Sequence, residues 1–230
     1  MFLRAFRLFG LASAVAAVST AHAETQLCEN GVVTAHSSQQ NHLPLMCAAA
    51  DRALTVFDQC ALTPPTAIDI FVSDLSDQSC LGLFHCGEAR IEVIAPDVID
   101  TKRSDIGLFN PLTSERLFES VIVHEIAHAA VDLTPCPLAS CVATSEYFAY
   151  TVQLLDLTED ERETVMASAS AASALPADPV KHDEINAFLL YMAPDLFVDK
   201  VWRHVTGRGD PCLQLRRIQD GSLIFDRFHP

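Results

Sequence analysis

Residues 121 to 131 read Val121-Ile-Val-His-Glu-Ile-Ala-His-Ala-Ala-Val131. Apart from His124, Glu125 and His128, every side chain in this run is apolar. A helix that is apolar on all faces belongs in the middle of a fold, covered from every side. Burying two imidazoles and a carboxylate there is costly unless something compensates them. His124 and His128 are four residues apart and share one helical face. A divalent cation held by both rings at about 2.0–2.1 Å would compensate them directly. Glu125 lies about 100° around the helix from His124, at ~3.6 residues per turn. It would flank such an ion rather than ligate it, which is where a general base takes a proton from an attacking water.

The helix carrying this run is expected from Ser114 to Val131. Thr113 can serve as its N-cap, Glu115 faces the positive end of the helix dipole, and Leu112 and Leu117 occupy the positions of a hydrophobic staple. A catalytic zinc takes three protein ligands and keeps one open position, so a third ligand is required. Residues 129 to 134, Ala-Ala-Val-Asp-Leu-Thr, contain neither glycine nor histidine, which excludes the elongated motif with a third histidine. Asp132 could ligate, or could orient a histidine from behind. Glu146 is the better choice. It stands near the start of the next expected helix, about 144 to 157, in Thr144-Ser-Glu-Tyr-Phe-Ala-Tyr150, where apolar and aromatic neighbours turn it inward. The short proline-bearing loop from Thr134 to Ser140 makes the two helices neighbours.

VIVHEIAH followed by SEYFA resembles the gluzincin group of zinc metallopeptidases, which carry H-E-x-x-H on one helix and a glutamate ligand on the next. The resemblance covers about residues 113 to 157; Ala149 stands at the group's alanine position and Ser145 where the group has asparagine. It implies a zincin-like fold and one Zn2+ held by His124, His128 and Glu146, with Glu125 activating water. It also implies a peptide or protein substrate laid along a sheet edge, for which residues 89 to 95, Ala-Arg-Ile-Glu-Val-Ile-Ala, are the expected strand. Such a peptidase gains from a donor to the developing oxyanion. Tyr147, Tyr150, Tyr191, His182 and His204 are eligible, and Tyr150, Tyr191 and His204 are the candidates carried forward. Two rival readings are a non-peptide amide or ester substrate at the same zinc site, and a non-catalytic, disulfide-stapled binding module.

Outward from this centre, residues 44 to 62 have helical spacing, with Pro44 in the first turn. Residues 66 to 73 and 89 to 95 alternate like strands. The segment between them, 74 to 88, reads as a disulfide-pinned connection. A polar loop is expected from Pro96 to Pro111. Thr158 to Glu161 is a capping box that opens a further helix. Residues 167 to 179 are Ala/Ser-rich with two prolines and read as a linker, a candidate sub-lobe boundary. Helices are expected at about 180 to 192 and 194 to 206, and a weak strand at 222 to 225. The fold class is therefore α+β in one domain, residues 24 to 230. A small N-terminal sheet precedes the active-site helix, and a mainly helical part follows it.

The first seven residues hold Arg4 and Arg7. An apolar run to Val18 and an Ala21-His-Ala23 cleavage signature follow. This predicts a signal peptide over residues 1 to 23, export to a periplasmic or extracellular space, and no stable membrane anchor. All eight cysteines fall after it, an even count that fits an oxidising compartment. Cys80 with Cys86 and Cys136 with Cys141 are expected as local staples. The formal net charge of −15 becomes −17 once Arg4 and Arg7 are removed. Such a chain repels phosphate backbones, which argues against a nucleic-acid partner.

Overall fold

Alternation builds the sheet. In β2 (Val33–Ser37) Val33, Ala35 and Ser37 are buried and the residues between them are not. In β3 (Ile68–Val72) Ile68 and Ile70 point inward while Asp69 faces out, and in β5 (Arg90–Val93) Ile91 and Val93 are the buried pair. With β1 (Glu24–Leu27) and β4 (Gly82–His85) they form a five-stranded sheet in the order β1-β2-β3-β5-β4. The computed structural model describes residues 23–75, 80–103, 106–172 and 179–226. The expected signal segment, apart from Ala23, and the core of the expected linker, 173–178, lie outside the described residues.

The sheet is mixed. β2, β3 and β5 run parallel, and β1 and β4 pair antiparallel on its two edges. Parallel neighbours need a crossover, and α1 (His42–Cys60) supplies the one between β2 and β3. α3 (Ser114–Val131) lies beside α1 against the sheet, and α4 (Val142–Asp156) packs on both. Nearly every side chain of α3 from Leu117 to Ala130 is buried, as its all-apolar sequence requires. Thr113 caps it by accepting a hydrogen bond from the backbone N–H of Arg116. α2 (Pro96–Thr101) and a short 3-10 turn, Gly107–Phe109, fill the stretch expected as a polar loop.

The C-terminal part is helical: α5 (Glu159–Ala172), α6 (Ala187–Met192), α7 (Pro194–Gly207) and α8 (Pro211–Gln219). The capping box forms, with Thr158 N–H donating to Glu161 and Glu161 N–H to Thr158 Oγ1. α5 runs on into the stretch read as a linker. The helix expected at 180 to 192 is broken into a 3-10 turn, His182–Glu184, and the short α6, because Asn186 caps a new start with its side chain. The weak strand at 222 to 225 does not form; a single short run has no neighbour to pair with, and its backbone turns onto α4 instead, Phe225 N–H donating to Thr144 Oγ1.

Among the described residues three disulfides form. Cys28–Cys47 ties the end of β1 to α1, Cys60–Cys212 joins the end of α1 to the start of α8, and Cys136–Cys141 closes the loop between α3 and α4. The expected Cys80–Cys86 staple is absent, and both carry thiols. The reason is β4. The extended strand Gly82–His85 separates the two cysteines and alone spans about 10 Å at ~3.3 Å per residue, beyond the roughly 7 Å a disulfide bridges. The disulfides that do form fit an oxidising compartment. No helix among the described residues is long and apolar enough to cross a membrane.

Candidate metal centre

α3 presents His124 and His128 from successive turns, with their Nε2 atoms 3.0 Å apart. α4 crosses this face and brings in Glu146, whose two carboxylate oxygens lie 3.4 Å from His124 Nε2 and 3.4 Å from His128 Nε2. The three ligand atoms are within 4.8 Å of one another, a group that could hold a metal ion. Each imidazole is fixed from behind by its other nitrogen. His124 Nδ1 meets Gln153 Oε1 at 3.1 Å, and His128 Nδ1 meets Ser145 Oγ at 2.8 Å. Gln153 is itself held in orientation: its amide N–H donates to Ser120 Oγ, and Ser120 donates to the Leu117 carbonyl. The amide oxygen is thereby left facing His124 Nδ1, while His124 Nε2 faces His128 and Glu146. Two imidazole nitrogens and a carboxylate that converge in one small space, each ring held by its other nitrogen, are donors of the kind a divalent cation takes. The donor set therefore fits a divalent metal.

The helix that supplies Glu146 is anchored at its N-terminus from the far end of the chain. Asp226 accepts hydrogen bonds from the backbone N–H groups of Ala143 and Thr144 and from the Thr144 hydroxyl. No residue at the helix's own N-cap position does this, since Cys141 makes no side-chain cap. A carboxylate at this end also complements the helix dipole.

Glu125 is 6% exposed and lies one position along α3 from His124. Burial raises its pKa, against the opposing pull of His124 and His128. The backbone N–H of Phe84 in β4 donates to it. Burial would also raise Glu146, but hydrogen bonds and charge from His124 and His128 prevail and hold it far below the ordinary carboxylate range. Burial would lower His128, and Glu146, Glu125 and Asp132 together reverse that, so its pKa is raised. The Tyr150 ring packs 4.6 Å from that of His124, and burial keeps its phenol protonated.

All of this opens into a cleft of about 1360 Å³, walled by β4, α3, α4 and the start of α7. Its lining is largely apolar, with Leu81, Leu83, Phe84, Ile106 and Phe109 on the sheet side. β4 is the edge strand here. ARIEVIA, the strand expected at the edge, holds β5, which is paired on both sides. The segment treated as a plain connection supplies the strand that covers it. Ile94 N–H donates to Leu81 O, so by antiparallel alternation Leu81, Leu83 and His85 turn their backbone groups toward β5. Gly82 and Phe84 turn theirs away from the sheet. Only glycine fits at 82: a Cβ there would lie 2.7 Å from Glu125 Oε1 and 2.7 Å from Val121 Cγ1.

The remaining predicted site residues are dispersed. Asp132, just past α3, accepts from the Gly87 N–H and bonds to neither histidine. Tyr191 is 73% exposed on α6. His204 is buried in α7, where its Nδ1 meets the Tyr147 hydroxyl at 3.0 Å. His182 packs on Phe225 near His204. Of the eligible oxyanion donors, only Tyr150 lines the cleft. Gln153, Ser120, Gly82 and Asp226 escaped the sequence reading. Gln153 carried one signal, a lone amide in the apolar run Thr151-Val-Gln-Leu-Leu155.

Residues 33–228 match a family of unknown function, DUF6639. No curated protein and no solved structure matches the chain.

Proposed function

The chain belongs to the DUF6639 family, and we propose that it is an exported zinc-dependent hydrolase of zincin-like fold, a peptidase of gluzincin type. One observation carries this reading: a buried carboxylate, Glu125, stands beside a His124–His128–Glu146 ligand group inside an open cleft. A tetrahedral zinc shell with bonds of ~2.0–2.1 Å places its ligand atoms about 3.3 Å apart. The separations of 3.0, 3.4 and 3.4 Å support that assignment. His124 and His128, through Nε2, and the Glu146 carboxylate would hold the ion. When bound, zinc supplies Lewis acidity, which acidifies water and polarises a carbonyl.

The chain's own residues supply the rest. Glu125, with its pKa raised by burial, accepts a proton from the attacking water and returns it to the leaving amine. The Phe84 N–H orients that carboxylate. Gln153 and Ser145 hold the two Nδ1 atoms, so that both Nε2 atoms are aimed inward. Tyr150 is the candidate O–H donor to the developing oxyanion. The outward backbone groups of Gly82 and the outward carbonyl of Phe84 offer main-chain hydrogen bonds to an extended peptide, and the apolar lining favours substrates with apolar side chains.

The test pairs elemental analysis with digestion of a peptide library read by mass spectrometry. The wild-type chain without its signal peptide should carry one zinc per molecule and cleave. Glu125→Gln should keep the zinc and lose cleavage by about 10²–10⁴-fold. Glu146→Ala should lose the zinc, whereas Asp132→Ala should keep it. A wild type that neither retains nor takes up zinc, or a Glu125→Gln variant that cleaves normally, removes the proposal.

A further inference from the structure

A second, smaller cavity of about 340 Å³ lies where the end of α7, α8 and residues 222–224 meet, with His182, His204, Arg208 and Arg217 in its wall. The chain has twice as many acidic as basic residues, yet among the described residues no acidic side chain lines this cavity. Nearby arginines are paired: Arg203 with Asp199 and Arg216 with Asp210. Among the described residues, neither Arg208 nor Arg217 lies within ion-pair distance of a carboxylate. The carboxylate nearest in sequence to Arg217, Asp220, accepts from the Ser222 N–H and feels the guanidinium charge without forming an ion pair with it.

His204 adds an independent sign. It is 2% exposed, and its Nε2 is buried with no hydrogen-bond partner. Its Nδ1 faces the Tyr147 hydroxyl, which burial keeps protonated and able to donate. With Nδ1 accepting, the ring proton sits on Nε2, a buried donor lacking an acceptor. Burial first, then the positive charges of Arg208, His182 and Arg217, hold the His204 pKa down at about 4. Converging positive potential and an unmatched donor describe the complement of an anion.

We propose that this cavity binds a small oxyanion, carboxylate or phosphate, through the Arg208 and Arg217 guanidinium groups and the His204 Nε2–H. Guanidinium forks suit the planar, bidentate geometry of such groups. The volume is at the small end of the roughly 300–1,000 Å³ range of ligand pockets. Ile224 lines both this cavity and the large cleft, so the two adjoin at that residue. The anion could therefore be free in solution or be the carboxylate end of a molecule held in the cleft.

The experiment titrates the chain without its signal peptide with inorganic phosphate and follows the histidine ring resonances by NMR. A saturable shift at His182 and His204, with His124 and His128 unmoved, is expected. Arg208→Gln/Arg217→Gln should weaken phosphate at least tenfold. Arg208→Gln alone changes an exposed residue and should weaken it at least threefold, which carries the test if the double variant does not fold. In a competition arm, displacement of phosphate by a short peptide acid but not by its C-terminal amide assigns the site to substrate carboxylates. Displacement by neither assigns it to a free anion. The absence of a saturable shift, unchanged affinity in the variants, or a shift at His124 and His128 instead overturns the proposal.

Discussion

The α-carbon of Gly82 in the edge strand and the carboxylate of Glu125 on α3 are so close that a single added methyl group would stand 2.7 Å from Oε1. The same methyl would lie 2.8 Å from Glu125 Cγ and 2.7 Å from Val121 Cγ1. The Glu125 tip could swing away, but Val121 belongs to a helix packed on all sides and cannot. The strand rides directly on α3, and the glycine permits it.

Gly82→Ala should therefore displace either the strand or the carboxylate while leaving the ligand group intact. Misplacement of a reacting group by about 1 Å costs as much as 10²-fold in rate. The expected result is a loss of about tenfold or more in kcat/KM with zinc content unchanged. Parallel turnover and elemental measurements check it.

Gln153→Leu removes the acceptor behind His124 and leaves Ser120 without its amide partner. Loss of such a supporting hydrogen bond typically weakens metal binding by 10–100-fold. Ser145→Ala should act similarly through His128. Competition against a chelator of known affinity measures both, and unchanged zinc affinity would show that the imidazoles hold their orientation by packing alone.

Asp226→Ala strips the N-terminus of α4 of its acceptor. Loss of a helix cap costs ~1–2 kcal/mol, and here the helix carries Glu146, Ser145, Tyr150 and Gln153. Urea unfolding should report that loss, and zinc affinity should fall with it. An Asp226→Asn variant, able to accept fewer of the three hydrogen bonds, should fall between.

His204 predicts an acid limb in stability. Its folded pKa of about 4 lies below the ordinary value of 6.5. Between those values the unfolded chain binds a proton that the folded chain refuses, so stability rises with pH across that window and is lost as pH falls through it. At ~1.4 kcal/mol per pH unit, moderated by partial solvent access, the contribution is on the order of 2 kcal/mol. Unfolding free energies at pH 7 and pH 4 in the wild type and in His204→Asn measure it. The limb should flatten in the variant.

Local signals read the elements with strong periodicity. The span of α3, its Thr113 cap, the capping box at 158–161 and the Cys136–Cys141 staple all follow from residues within a few positions of one another. β1, β2 and β4 do not stand out in the sequence because their residues give little hydrophobic contrast: β1 is exposed throughout, and the buried positions of β2 and β4 include the small residues Ala35, Ser37 and Gly82. β4 was hidden further by its glycine and flanking cysteines, which suggested a pinned loop. Its role appears only once β5 is seen to be paired on both sides.

By itself the sequence determined that two histidines and a glutamate share one buried helix, because helical spacing alone fixes which side chains point together. Only the tertiary structure decided that Glu146 rather than Asp132 meets that pair, and that Gln153, Ser145 and Asp226 stand behind the cluster. Those relations depend on how α4 crosses α3 and where the distant C-terminal segment lands. Crossing angles and long-range contacts emerge from packing the whole core, and no spacing along the chain encodes them.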